Sequence, residues 1–114
     1  MDKFKELTIR RMPNSILPQL PLNGKWLEDL GFTIGCGVRI IFEDSCLTLI
    51  VDNDNSDFLV ESRMVRKKPR TILNINAFHL KRYGFNSGDR VGLTLSSNMI
   101  QISKINRFTI LETS

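Results

Sequence analysis

The sequence has few cysteines, a single histidine and no long apolar run. Two cysteines and one histidine in 114 residues exclude a disulfide framework, and no CxxC or Cys/His spacing for zinc is present. The longest apolar runs, VRIIF and LTLIV, are far shorter than the ~18 residues of a membrane-spanning helix. The start, MDKFKELTIRRM, has no signal-peptide apolar region. We therefore expect a cytoplasmic protein with no membrane segment, metal or cofactor.

Positive charge is concentrated in the second half of the chain. Residues 1–53 hold six Lys/Arg against seven Asp/Glu, whereas residues 54–114 hold ten against five. With a formal net charge of +4, this asymmetry favours a polyanionic partner. DNA, RNA or both are the expected partners.

An internal repeat relates the two halves. Residues 20–50 align without a gap to residues 73–103, and one unit of ~50 residues is marginal by itself, so two units are expected to share one core. The predicted division is 1–53 and 54–114. The identical pairs are Leu20/Leu73, Asn23/Asn76, Leu27/Leu80, Gly31/Gly84, Phe32/Phe85, Gly35/Gly88 and Val38/Val91.

The sequence pattern of each unit predicts the same order of elements: strand, strand, short helix, strand, strand. Hairpin tips are expected at EDS and SSN, between alternating apolar segments. The polar stretch VDNDNSD, 51–57, lacks the glycine and distal glutamate of a calcium loop and predicts a turn between the units. The C-terminal INRFTILETS, 105–114, predicts one more strand. The helix is expected to have an asparagine N-cap, a glycine at C′ and a phenylalanine folded back onto the core: Asn23, Gly31 and Phe32, then Asn76, Gly84 and Phe85.

The stretch LPLNGKWLEDLGFTIGCGVRIIFEDSCLTLIV, 20–51, closely resembles the SymE-like toxin domain. Ser45 stands where that family usually has glycine. The resemblance extends back into ELTIRRMPNS and covers residues 7–51. The residues that match the family pattern are Gly24, Trp26, Leu27, Glu28, Gly31, Phe32, Gly35, Val38 and Cys46.

A second, more divergent unit at 58–104 resembles the broader AbrB/MazE-like superfamily. The similarity is carried by L-x-x-x-G-F-x-x-G-D-x-V from Leu80 to Val91. His79 and Lys81 stand where the first unit has tryptophan and glutamate. The resemblance implies a mostly β fold with two short helices, in which two tandem units interlock as a swapped-hairpin, AbrB-like barrel: a pseudo-dimer within one chain.

What the resemblance implies about function is a type I toxin–antitoxin protein that binds DNA, RNA or both, cytoplasmic or associated with the nucleoid. AbrB-like relatives are DNA-binding regulators or antitoxins. Two alternatives stay open: an RNA-cleaving toxin, and an antitoxin-like module that binds protein. A homodimer also stays open.

In AbrB-like folds nucleic acid is met by basic residues on the strands and loops that lead to the helix, and the resemblance implies a basic strip at the equivalent positions here. RMVRKKPR is the densest charge run, and Pro69 is expected to keep it extended along a row of phosphates. The alternative is a solvated edge strand protected from aggregation by its charge. The predicted contact residues are Arg10, Arg11, Arg63, Arg66, Lys67, Lys68 and Arg70, extended by Lys81 and Arg82 on the second helix.

No catalytic constellation is predicted. General acid–base cleavage of RNA needs two groups poised around the reacting oxygens, and His79 is the only histidine. Asp89 is expected to cap a turn or pair with Arg90, and Glu28 diverges from the neighbouring Asp29 on its helix. Trp26 is expected to be buried between the units, with base stacking as the alternative.

Overall fold

A computed structural model describes residues 3–105. Within them the chain is mostly β-strand with two short helices, which confirms the predicted class. The expected C-terminal strand lies, apart from Ile105, outside the described residues. The elements in chain order are β1 (Lys3–Thr8), β2 (Arg10–Arg11), β3 (Pro18–Asn23), α1 (Lys25–Asp29), β4 (Gly37–Glu43), β5 (Cys46–Val51), β6 (Phe58–Leu59), β7 (Glu61–Val65), β8 (Lys68–Ile75), α2 (Ala77–Arg82), β9 (Arg90–Ser96) and β10 (Met99–Lys104).

The strands form two antiparallel, open sheets. One has six strands in the order β1-β9-β10-β5-β4-β6, and the other has four in the order β2-β3-β8-β7. Strand alternation places one face of each sheet inward. In the four-stranded sheet, Leu20 and Leu22 of β3 are buried opposite Ile75 and Leu73 of β8. The inward residues of both sheets belong to a single buried apolar cluster.

Strands from the first half of the chain pair with strands from the second half in both sheets. The pairings that join the halves are β1 with β9, β3 with β8, β4 with β6 and β5 with β10. Ile9, between β1 and β2, and Val60, between β6 and β7, are both buried. Each half therefore contributes strands that the other half needs to complete its sheets.

Both helices end as the repeat predicts. Gly31 and Gly84 follow the last helical turn with φ of 104° and 84°, a conformation that glycine adopts at little cost. The amides of the glycine and of the next phenylalanine bond back to the last turn, which is the Schellman arrangement. These bonds are Gly31–Glu28 (3.0 Å) and Phe32–Leu27 (2.9 Å) in α1, and Gly84–Lys81 (3.1 Å) and Phe85–Leu80 (2.8 Å) in α2.

The two helices begin differently, and the predicted Asn23 cap is wrong. Asn76 caps α2 by accepting from the amide of Phe78 at 2.7 Å, as expected. In α1 the N-cap is Gly24, which makes no side-chain capping bond. Asn23 remains in β3. A glycine directly after the asparagine lets the strand run one residue further before the helix starts.

The hairpin tips and the polar join are also formed as predicted. Asp44 and Ser45 connect β4 to β5 with φ of 50° and 64°, the signature of a type I′ turn. Asn98, with φ 61°, lies at the tip between β9 and β10. In the join, side chains hold neighbouring backbone: Asn53 accepts from the amide of Gly37 at 2.6 Å, and Asp57 accepts from that of Ile40 at 2.7 Å. No helix within residues 3–105 is both long and apolar enough to cross a membrane.

Candidate nucleic-acid interface

The densest charge run folds into a hairpin instead of the expected continuous extended segment. β7 and β8 pair along their length, and Arg66 with Lys67 forms the tip, at φ of 51° and 66°. Two consecutive positive φ values define a type I′ turn. Pro69 does not prevent this, because the fold-back is complete before it. The charges therefore lie on two neighbouring strands and their tip.

Register places three of these charges on one face of the hairpin. Arg63 lies directly opposite Arg70, and Val65 opposite Lys68, so Arg63, Lys68 and Arg70 share a face. Arg63, Arg66, Lys67, Lys68 and Arg70, hereafter the hairpin cluster, are all exposed. Neither of the two ion pairs found within residues 3–105 involves them. Like charges directly opposite each other are unfavourable by themselves, and a bound anion offsets that repulsion.

The hairpin cluster borders a groove beside α1. Its walls are Arg66, Lys68 and Arg70 on one side, and Lys25 and Glu28 of α1 on the other; the cavity is about 490 Å³. Lys25 adds a positive charge that the sequence analysis did not assign to the site. The arrangement suits contacts with phosphate oxygens, since guanidinium groups bind them bidentately and ammonium groups act as point charges.

The remaining predicted residues lie at the other end of the four-stranded sheet. Arg10 pairs with Gln19, whereas Arg70 lies beyond the last β3–β8 pair, so the two arginines are separated by about 20 Å along the strands. Arg11, also on β2, is exposed. Lys81 and Arg82 are exposed at the end of α2, which follows β8 at that same far end. The structure thus divides the predicted strip into two groups.

A second groove, between β1 and β3, brings together residues that the sequence analysis did not combine. It measures about 420 Å³, and its lining includes Lys5, Arg10, Asn23, Trp26 and Arg90. Trp26, expected to be buried between the units, is half-buried at this wall. Sequence reasoning missed Lys5 and Arg90, because only the β1–β9 register places these distant residues on one groove. The alternation of KFKELT along an edge strand was the available signal.

The groups considered for catalysis each make contacts of their own. His79 is half-buried, its Nδ1 has no hydrogen-bond partner among the described residues, and its ring stacks on Tyr83 with centroids 6.1 Å apart. Asp89 caps its turn by accepting from the amide of Asn86 at 2.8 Å, as predicted. It pairs with Lys104, at 3.3 Å. In residues 3–105 no three His, Cys, Asp or Glu side chains are grouped to hold a metal ion.

Comparison with known protein families bears on the first half of the chain. The family model described as "Toxin SymE, type I toxin-antitoxin system" matches residues 5–51. Residues 5–51, hereafter the SymE-like segment, are similar to that family. No curated protein and no solved structure gives a significant match. The SymE-like segment runs from β1 to the end of β5. It therefore contains most of the β1–β3 groove, while the hairpin cluster lies outside it.

Proposed function

We propose that the protein binds nucleic acid mainly through the phosphate backbone, with the hairpin cluster as the principal contact surface. The observation that carries this proposal is the Arg63–Arg70 pair: two arginines lie directly opposite each other on a hairpin with three further exposed basic residues. Arg10, Arg11, Lys81 and Arg82 form a second, weaker contact group at the far end of the sheet. Such contacts position a protein on nucleic acid without selecting a base sequence.

The strand pairing between the halves supports a swapped-hairpin relationship of the AbrB type. In this proposal residues 1–53 and 54–114 are two related units, and each completes the sheets of the other. The hairpin β7–β8 in the second unit corresponds to β2–β3 in the first. The hairpin of the second unit is strongly basic and that of the first carries fewer charges, so in this proposal the second unit makes most of the phosphate contacts.

The test is a titration of labelled duplex DNA and duplex RNA at several salt concentrations. If about five phosphates are neutralised, log K should fall against log salt with a slope of about −4 to −5. The double variant R63Q/R70Q should bind more weakly and lose about two units of slope. The matched control K3Q/R39Q removes two exposed charges elsewhere and should leave affinity within a few-fold. Absence of binding at low salt would refute the proposal.

The family match supports a proposal for the biological role of the protein: it acts as the toxin of a type I toxin–antitoxin module. Controlled expression in a bacterial host should then slow growth. If toxicity depends on nucleic-acid contact, R63Q/R70Q should restore growth at equal protein level, and K3Q/R39Q should not.

The alternative function, RNA cleavage, is tested by incubating RNA with the purified protein and, in parallel, with the H79A variant. Cleavage that follows the protein through purification would establish an enzyme.

A further inference from the structure

The groove between β1 and β3 contains the only tryptophan of the chain, held in a defined position. The indole Nε1 of Trp26 donates to the carbonyl oxygen of Asn23 at 2.9 Å. A Cβ at Gly24 would lie 2.9 Å from the indole Cδ1, so the ring folds back closely onto this glycine. The ring is also partly packed against the buried cluster. Its position is therefore fixed by the fold, although it remains half-exposed in the groove.

A cation occupies one face of this ring. The Lys5 ammonium lies 4.5 Å from the centre of the Trp26 ring, within the range of a cation–π interaction. An exposed contact of this kind is weak, typically ~0.5–1 kcal/mol. A planar ligand that stacks on the ring can displace it. The displaced ammonium then stays within reach of any anionic group that the ligand carries.

The rest of the groove supplies further positive charge. Arg10 is exposed, and it belongs to neither ion pair within residues 3–105. Arg90 pairs at 2.6 Å with Glu6, which also lines the groove, and donates to the hydroxyl of Thr8 at 3.3 Å. Glu6 offsets the charge of Arg90, so Lys5 and Arg10 are the cations left to meet a phosphate. An aromatic face flanked by cations in a groove is the combination that binds single-stranded nucleic acid, because bases stack on the ring while phosphates meet the charges.

We propose that this groove, hereafter the Trp26 groove, binds single-stranded RNA or DNA, with one base stacked on Trp26 in place of Lys5 and the adjacent phosphate contacting Lys5 and Arg10. The inference rests on the proposed nucleic-acid function and adds a ligand class and a site to it. A half-buried ring between two strands is out of reach of bases stacked in a duplex. Single strands are therefore the expected ligand here, whereas the hairpin cluster contacts either form.

The two grooves meet at the junction of β3 and α1. Asn23 and Trp26 line the Trp26 groove, while Gly24 and Lys25 line the groove of the hairpin cluster. In this proposal, a nucleic-acid strand that leaves the Trp26 groove at this junction passes next to Lys25 and then reaches Arg70. The two grooves therefore adjoin at this junction, with Lys25 as the basic residue between them.

Fluorescence of the single tryptophan tests the proposal directly. The full chain is titrated with a mixed-sequence 12-nucleotide RNA, its DNA equivalent, and each strand annealed to its complement, while fluorescence anisotropy of labelled strands reports binding. The single strands should quench Trp26 emission as they bind, and the duplexes should bind with little quenching. Single strands that bind without quenching would overturn the Trp26 groove while leaving the proposed function intact. No binding of any strand would overturn both.

Variants assign the effect to the groove. W26L should weaken single-strand binding by roughly fivefold to a hundredfold, the range found for loss of one base–aromatic stack, and leave duplex binding within twofold. K5M keeps the aliphatic stem of Lys5, and R10Q changes an exposed residue, so neither variant should disturb the fold. Each removes one positive charge from the groove and should weaken single-strand binding at low salt. R63Q/R70Q should weaken duplex binding, yet bound single strands should still quench Trp26. Circular dichroism shows whether W26L folds. If it does not, the proposal is refuted when single strands quench Trp26 emission at the same concentrations in K5M, in R10Q and in the unmodified protein.

Discussion

Gly88 donates its backbone amide to the carbonyl oxygen of Ile9 at 2.8 Å, and Gly35 makes the equivalent bond to Val60 at 2.9 Å. Each bond joins the turn before a strand in one half to a buried crossover residue in the other half. Ile9 and Val60 lie where the chain passes from the six-stranded sheet to the four-stranded sheet. They are 1% and 2% exposed, so both of these connections are buried in the core. The two halves are thus linked by the same contact in both directions.

This reciprocal linkage predicts that neither half folds alone. A fragment of residues 1–53 lacks the partners of β1, β3 and β5, and leaves Leu20, Leu22 and Leu49 exposed to water. We expect each fragment to show no cooperative thermal transition by circular dichroism. An equimolar mixture with 54–114 should regain strand signal and a melting transition. A stable, cooperative 1–53 fragment would contradict the proposed interlocking of the two units.

The two C′ glycines should respond differently to alanine. Both have positive φ, which costs an alanine about 1 kcal/mol. A Cβ at Gly84 meets no atom within 4 Å, whereas a Cβ at Gly31 would collide with the side-chain oxygen of Asn98. G31A should therefore lower the free energy of unfolding by more than G84A. In an N98G background, which removes the collision, urea denaturation should show equal losses for the two alanines.

The helix starts offer a second matched pair. N76A removes the bond to the Phe78 amide and should lower the free energy of unfolding by about 1 kcal/mol. N23A should change it by much less, because the bond that Asn23 makes to Trp26 uses its backbone oxygen. Chemical denaturation of both variants checks this difference. Equal losses would mean that the Asn23 side chain stabilises the fold in some other way.

Local features of the fold could be predicted from the sequence because they depend on neighbouring residues. Helix ends, hairpin tips and inward-facing apolar residues follow from side-chain chemistry over a few positions, as at Gly31 and Phe32. The Asn23 cap failed for an equally local reason, since Gly24 occupies the position that Ala77 occupies in the other unit. The repeat therefore predicted equivalence where one residue had changed the outcome.

The candidate site was predicted less completely because it depends on strand pairing. The basic residues were identified by composition, but their division into two groups requires the register of β2, β3 and β8. Lys5 and Arg90, more than 80 positions apart in the sequence, line one groove with Trp26 only because β1 pairs with β9. The tip at Arg66 and Lys67 was also missed, since neither residue is one that type I′ turns favour.

That unfavourable tip gives the last prediction. Arginine and lysine both pay a steric penalty at positive φ, whereas Asn-Gly fits a type I′ turn well. The double change R66N/K67G should raise the free energy of unfolding by about 1 kcal/mol. It should also weaken nucleic-acid binding and reduce the salt slope by about two units.

The matched control is D44N/S45G, which makes the same change at the tip between β4 and β5. This variant should gain less stability, because Asp44 already suits a positive φ and only Ser45 is replaced by a better residue, and it should not weaken binding. Thermal unfolding and the salt titration, carried out on both variants, separate the two effects. If R66N/K67G bound as tightly as the unmodified protein, the tip would have no part in the contact. If instead it gained stability and lost affinity, the chain keeps a strained turn because its charges are needed there.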